Sequence, residues 1–513
     1  MRDTAITASV RAAAARAARP VRDKWRAAGP QQRRTWRLAT GSAAVGLAVA
    51  LTAVAVAGPW DSGQRTAERV RAAGQGREDG GGQLTGPDGL RLPDPAPSAA
   101  DVLTALGVAQ DGGGSAKGGD NAPPPTGKAL ADSLGPLLKE ADLGKITSVS
   151  VVDALSGRRI FASHADRPTT PASTIKLATA TAVLSAQGAD HRIPTRVVAG
   201  KGDSVVLVGG GDPTLTLQDL DALAQQTAKA LKSSGERKVT VDYDTSLYSG
   251  PLMHPIGPNN NLAPVTPLMI NEARLDDSTH GPAPRAADPA AEAAREFAER
   301  LAGQGVTVSG DRHEVTAPEH ADRLAVHRSA PLSALVERML THSDNDLAEA
   351  LARQTALASG EPASFAGASR AVHDRLKKLH LPVAGAHIAD GSGLSHDDKI
   401  TPRLLTHILV MAGDPDHPQL RSILTGLPVA AFSGTLSGRY EDSERGPDFA
   451  PGAGIVHAKT GTLTGVNTLA GTVVDADGRL LAFAFMANGT TGRDGAQDAL
   501  DQMASALANC GCR

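Results

Sequence analysis

The chain is poor in aromatic residues. Trp, Tyr and Phe together make up 3% of its 513 residues, and the formal net charge is only -3. No basic stretch is interleaved with aromatic side chains, so composition gives no reason to expect a nucleic-acid partner. Cysteine is nearly absent. Cys510 and Cys512 lie in the last four residues, and no C-x-x-C or Cys/His cluster has zinc spacing. The pair reads as a chemically idle tail, although an oxidising compartment would pair it. The 15 histidines include no H-E-x-x-H, so the metallopeptidase signature is missing. The glycine run in SVVLVGGGDPTLT is not followed by G-K-[ST] and reads as a structural turn, not a phosphate loop. No metal or cofactor is expected. A hydrophobic content of 41% against 21% charged residues is enough for packed cores, and the length suits two or three domains.

Charge is concentrated at the N-terminus. Residues 1–37 hold ten basic side chains against Asp3 and Asp23, a net +8. Residues 38–58, LATGSAAVGLAVALTAVAVAG, follow without a single charge. Twenty-one such residues can span a bilayer as one helix, and the basic flank marks the cytoplasmic side. The length favours a retained transmembrane anchor, while Ala55-Val56-Ala57 offers the cleaved-signal alternative. Either way the remainder is exported. Residues 59–127 are expected to be a disordered linker. Positions 71–127 contain 14 Gly and 7 Pro, with one short helix possible at ADVLTALGVA. As a flexible coil the linker would span about 45 Å.

Ordered patterning begins near Lys128. ALADSLGPLLKEA and PASTIKLATATAVLSAQ read as helices, and ITSVSVVDALSGRRIFASH as two strands around a Ser156-Gly157 turn. Near the C-terminus, VNTLAGTVVDADGRLLAFAFMANG reads as a hairpin and AQDALDQMASALANC as a closing helix. Strands at both ends with helices between them predict one α/β domain, 128–201 plus 331–513. Its mixed antiparallel sheet joins N- and C-terminal segments. Residues 202–330, rich in turns and proline, are expected to form one inserted, strand-rich domain.

Three short signals carry chemistry. Ser173 and Lys176 in PASTIKLATA are three residues apart, hence on one helix face near its N-terminus. A helix N-terminus offers unpaired N–H groups for an oxyanion. A lysine among apolar neighbours loses solvation, which makes its neutral, basic form accessible. No other lysine has a serine three residues before it. Ser343-Asp344-Asn345 lies between two helical stretches, where all three residue types also serve as caps. Lys459-Thr460-Gly461-Thr462 lies between strand-like runs. There Lys459 would supply a fixed positive charge, and Gly461 would let a ligand lie against the backbone. S-x-x-K, S-D-N and K-T-G together are the set found in class A β-lactamases and penicillin-binding proteins.

Beyond these motifs, LVGGGDPTLT, ADGSGLSHDDKITP and SGTLSGRY resemble the low-molecular-mass class C penicillin-binding proteins, which are serine D-alanyl-D-alanine carboxypeptidases and endopeptidases. The likeness spans roughly 128–508. It implies the penicillin-recognising, β-lactamase-like fold and a role for each matching residue. Ser173 would attack the D-Ala-D-Ala carbonyl, Lys176 would be the base, and Ser343 would relay a proton to the leaving amine. Asn345 would bind the substrate amide. Lys459, with Thr460, Gly461 and Thr462, would hold the terminal carboxylate. Peptidoglycan stem peptides would be the substrates and β-lactams the inhibitors. Two alternatives remain at this point. A class A type β-lactamase lacks support, because no E-x-x-L-N follows the S-D-N. A non-catalytic peptidoglycan-binding module has the anchor and linker in its favour and the intact Ser, Lys and Asn against it.

Overall fold

The structure is a computed structural model that describes residues 123–440 and 448–511. The expected basic segment, the apolar segment 38–58, the short linker helix and most of the linker lie outside the described residues. All described residues belong to one compact unit, Ser98–Arg513. No helix among them is long and apolar enough to cross a membrane.

In chain order, the first elements are helix α1 (Gly127–Leu137), strands β1 (Ile146–Asp153) and β2 (Arg159–Ser163), and helix α2 (Lys176–Gln187). Then come β3 (Pro194–Ala199), β4 (Ser204–Val208), α3 (Leu217–Ser233), β5 (Lys238–Asp244), α4 (Pro289–Gly303), β6 (Thr307–Val308) and β7 (Arg323–Arg328). Four helices follow: α5 (Leu332–His342), α6 (Asn345–Ser359), α7 (Phe365–Lys378) and α8 (Pro402–Gly413). The chain ends with β8 (His457–Leu463), β9 (Val466–Val474), β10 (Leu480–Asn488) and α9 (Arg493–Ala508).

The first sheet has the order β2-β1-β10-β9-β8 and is antiparallel throughout. The N-terminal β1 pairs directly with the C-terminal β10, from Ile146↔Asn488 to Asp153↔Leu481. The sheet therefore unites the two chain ends, as the patterning predicts. The run LLAFAFMA in β10 shows no polar alternation because both its faces are covered. Successive side chains point to opposite faces. Ala482, Ala484 and Met486 join a core with α2, α5, α6, α7 and α8. Leu481, Phe483, Phe485 and Ala487 join a second core with α1 and α9. Cys510 is buried in that second core and is disulfide-bonded, so the expected idle tail is part of the packing. Between Lys176 and Gln187 helix α2 carries only apolar or small side chains, which suits a helix buried all round from Lys176 to Leu184.

The second sheet, β6-β5-β4-β3-β7, forms around its own core. Strands β4, β5 and β6 run parallel, connected by α3 and α4, while β3 and β7 are antiparallel neighbours. The insert holds five strands, as expected, and two helices that the turn-rich composition did not mark. Its two helices, of 17 and 15 residues, cover the sheet and bury Leu220, Leu223, Phe297 and Leu301. Parallel pairing requires such crossovers. Strand β3 belongs to this second sheet, although it precedes the 202 boundary expected from the turn-rich composition.

The glycine run after β4 is a docking point between the two parts. A Cβ on Gly210 would lie 1.9 Å from the Pro194 carbonyl oxygen, and Gln354 Nε2 of α6 donates to the Gly210 carbonyl at 2.8 Å. Gly210→Ala forces these backbones apart, and overpacking of this kind costs about 1–3 kcal/mol. Urea unfolding of the variant is expected to show a lowered midpoint. An unchanged midpoint would show that the run is not a close-packed joint.

Candidate active site

The helix read from PASTIKLATA does not start as an α-helix. Ala172–Ile175 forms a 3-10 turn, and α2 begins at Lys176. Ala172 takes a left-handed φ of 47°, a conformation unfavourable for an L-residue. The turn is clamped from outside. The Pro171 carbonyl accepts from the hydroxyls of Thr174 (2.8 Å) and Thr468 (2.7 Å), the latter on β9. Gly393 packs so closely that a Cβ there would lie 2.1 Å from the Ala172 oxygen. Together these contacts leave Ser173 partly exposed on a fixed turn.

Lys176 points inward and is fully buried. Its Nζ lies 3.0 Å from Ser173 Oγ and donates to Asn345 Oδ1 at 2.7 Å and to the Ser392 carbonyl at 2.5 Å. Burial pulls its pKa down to about 8. The charges of Asp390, Asp344, Glu349 and Asp398 hold it from falling further.

Ser343 and Asn345 flank a helix junction. Ser343 ends α5 in a left-handed conformation, φ 57° and ψ 39°, and Asp344 caps α6 by accepting the Leu347 N–H at 3.0 Å. Capping and placement of Ser343 and Asn345 beside the cavity are one arrangement, not rival readings of this tripeptide. Asn345 Nδ2 donates to the Asn261 carbonyl of the insert at 3.0 Å.

Strand β8 closes the opposite side. A Cβ on Gly461 would meet Thr468 Oγ1 at 2.1 Å, the Pro171 oxygen at 2.7 Å and the Ser173 nitrogen at 3.1 Å. The glycine therefore lets β8 lie against the Ser173 turn, rather than clearing space for a ligand. Thr460 Oγ1 bonds Thr435 Oγ1 at 2.7 Å, and Gln497 Nε2 donates to Thr462 Oγ1 at 3.2 Å. Lys459 is fully buried, and its Nζ donates to the Thr460 carbonyl at 2.8 Å. Burial, and then the charge of Lys176, push its pKa well below the usual lysine value. Its positive charge is therefore held less firmly than that of an exposed lysine.

A cavity of about 410 Å³ joins these elements, lined by Ser173, Ser343, Asn345, Thr460 and Thr462. Lys176, Lys459 and Gly461 stand behind its surface. Arg274 and Arg285 of the insert form part of the wall. They belong to a buried cluster that sequence reading missed. Glu272, Asp344 and Asp346 come together there, faced by Arg274 (2.9 Å from Glu272), Arg285 (2.9 Å from Asp346) and Arg338. Burial, with the Asp344 charge, raises Glu272 to about 9, and burial raises Asp346 to about 7 against the pull of Arg285. A second cluster, His254, Glu349 and Asp390, lies behind Lys176. Three guanidinium groups answer the first set of carboxylates. In the second, backbone N–H groups, His254 and Arg353 occupy the carboxylate oxygens. Neither donor set suits a cation. The only sequence signal for Asp390 was the segment ADGSGLSHDDKITP, and none pointed to His254 or Glu272.

Comparison with known proteins places this geometry. The D-Ala-D-Ala carboxypeptidase 3 (S13) family profile matches residues 130–284 and 276–510. A carboxypeptidase of Mycobacterium tuberculosis is 37% identical over 444 residues, covering 83% of this chain and 91% of that protein. Carboxypeptidase DacB of Mycolicibacterium smegmatis is 36% identical over 413 residues, covering 76% and 86%. Among solved structures, penicillin binding protein 4 of Haemophilus influenzae superposes with a TM-score of 0.60 at 24% identity, covering 74% of this chain and 98% of that one. The fold is thus that of the penicillin-binding proteins, and the chain belongs to the D-Ala-D-Ala carboxypeptidase 3 (S13) family.

Proposed function

We propose that the protein releases the terminal D-alanine of peptidoglycan stem peptides, with Ser173 as nucleophile and Lys176 as its base. One observation carries this reading: a fully buried Lys176, its pKa lowered to about 8, has its amine 3.0 Å from Ser173 Oγ. Neutral Lys176 takes the Ser173 proton as Oγ bonds to the carbonyl carbon of the penultimate D-alanine. The N–H groups of Ser173 and Thr462 hold the oxyanion. The C–N bond then breaks, and Ser343 passes the proton from Lys176 to the departing amine. Water hydrolyses the acyl-enzyme, its proton returning to Ser173 through Lys176. Asn345 binds the substrate amide. Thr460 and Thr462 face the terminal carboxylate in the cavity, and Gly461 keeps their strand against the nucleophile turn. A carboxylate bound there favours the protonated form of Lys459 behind it. β-Lactams enter the same cavity and acylate Ser173. The N-terminal segment gives the cellular setting: the +8 flank and the uncharged 38–58 span support export with retention at the membrane.

Ser173→Ala is expected to abolish both D-Ala release and covalent penicillin labelling, and D-Ala release at the normal rate would contradict the assignment. Below its pKa Lys176 is an ammonium and accepts no proton. Acylation should therefore fall as pH drops, reaching half its plateau near pH 8. Lys176→Arg stays cationic throughout and should lose at least about 10²-fold in acylation rate, the usual scale of base catalysis. In cell fractionation, deletion of 38–58 should leave the protein in the cytoplasm; export of the deleted form would remove the proposed role of that segment.

A further inference from the structure

The inserted domain reaches behind the nucleophile–base pair through one side chain. His254 lies between β5 and α4 and is buried, as is Asp390, 136 residues away. His254 Nε2 lies 2.9 Å from Asp390 Oδ2. Its other ring nitrogen, Nδ1, accepts the Ile256 backbone N–H at 3.2 Å. A nitrogen that accepts carries no proton, so the hydrogen resides on Nε2 and points at Asp390. Phe365 packs edge-on against the ring at 5.3 Å between centroids and fixes its plane.

Asp390 organises the loop that touches Lys176. Its Oδ1 accepts the N–H groups of Ser392 (2.9 Å) and Gly393, and its Oδ2 accepts that of Ser395 (2.7 Å). Within this loop, the Ser392 carbonyl receives the Lys176 amine, and Gly393 packs on Ala172, next to the nucleophile. The loop thus touches both members of the pair. We infer that His254 is a positioning residue for the reaction: its Nε2–H orients Asp390, whose loop sets the Lys176 amine against Ser173 Oγ.

The alternative is plain core packing, since His254 is enclosed and its loss would leave a space. The electrostatics separate the two readings. Asp390 is ionised: burial opposes this, but the His254 bond and the backbone donors outweigh it. Around Lys176 and Asp390 the other charged or titratable groups are Asp398 on the same loop, Asp344 at the cap of α6, Glu349 on α6, Arg353 paired with Glu349 at 3.2 Å, and Lys459 on β8. The Asp390 charge supports the ammonium form of Lys176, as does the Ser392 carbonyl. Without the His254 bond the Asp390 carboxylate and its loop draw away from Lys176, which weakens both supports. Lys176 then releases its proton more readily, and the acid limb of the rate profile moves to lower pH. A cavity alone would lower thermal stability without moving that limb.

The inference rests on Lys176 being the base, so the test includes Lys176→Arg as a control. Penicillin acylation is followed across pH for the full chain, separating initial binding from the covalent step. In His254→Gln the amide nitrogen reaches the place of Nε2; in His254→Asn it stops at the place of Nδ1. The Gln variant is expected to keep the wild-type limb and stay within about threefold of the wild-type rate. The Asn variant should lose about tenfold or more in the covalent step, the scale of small misplacements, with its limb moved to lower pH and initial binding unchanged. Asp390→Asn probes the next link and should move the limb in the same direction, whether or not the His254→Asn variant folds. An unmoved limb in Asp390→Asn, or equal profiles for the two His254 variants, overturns the inference. Acylation retained by Lys176→Arg instead overturns the proposed base, and the two failures are distinguishable.

Discussion

A lysine amine buried away from the surface and bonded to three oxygens is the interaction on which the site depends. Lys176 is enclosed by three oxygen partners from three segments: Ser173 in its own turn, Asn345 at the start of α6, and the Ser392 carbonyl of the 390–395 loop. Burial favours the neutral amine, and nearby carboxylates restrain the shift. The balance leaves a group that can carry or release a proton near neutral pH, which is what a base for a serine hydroxyl requires. Much of the surrounding fold serves to hold those three oxygens in place.

The first sheet sets the turn. Gly461 brings β8 onto the backbone of Ser173, and Thr468 of β9 bonds the Pro171 carbonyl. The helical layer sets the rest, because α6 carries Asn345 at one end and Glu349 one turn further on, where it accepts the Gly391 and Ser392 N–H groups at 3.0 Å each. The insert is not a separate appendage. It supplies Asn261 to Asn345, Arg274 and Arg285 to the cavity wall, and His254 to Asp390. It also meets α6 where the Gly210 carbonyl accepts from Gln354 Nε2 at 2.8 Å.

What was legible in the sequence follows the range of the physics. Hairpins β1–β2 and β9–β10 are marked by local turn residues, and Gly157 and Gly478 do take positive φ. The Ser173–Lys176 pair is one helical turn apart, so its contact is a local matter. The pairing of β1 with β10 was readable only because strands occur at both chain ends. Other features were hidden. The 3-10 start of α2 is imposed by clamps from β9 and Gly393, both distant in sequence. The insert's helices were obscured by the proline and glycine signals around them. Glu272, among Asn271 and Ala273 with φ of 42°, 56° and 56° for the three residues in order, sits in a left-handed run that no propensity suggests. His254 reads as one of 15 unremarkable histidines until the fold brings Asp390 to it. The downward pull on Lys459 is hidden for the same reason, since its burial and the nearby Lys176 are tertiary facts.

The central claim is that the fold converts Lys176 into a base that works near neutral pH. It is most directly tested by titrating that amine in the free enzyme. Lysine labelled with 13C at Cε reports the protonation of each Nζ by NMR, and the Lys176 resonance is assigned by its disappearance in Lys176→Arg. A midpoint near pH 8 is the result this structure predicts. A midpoint at the ordinary lysine value of about 10.5 would contradict it, because the amine would then be an ammonium at the pH where it must accept the Ser173 proton.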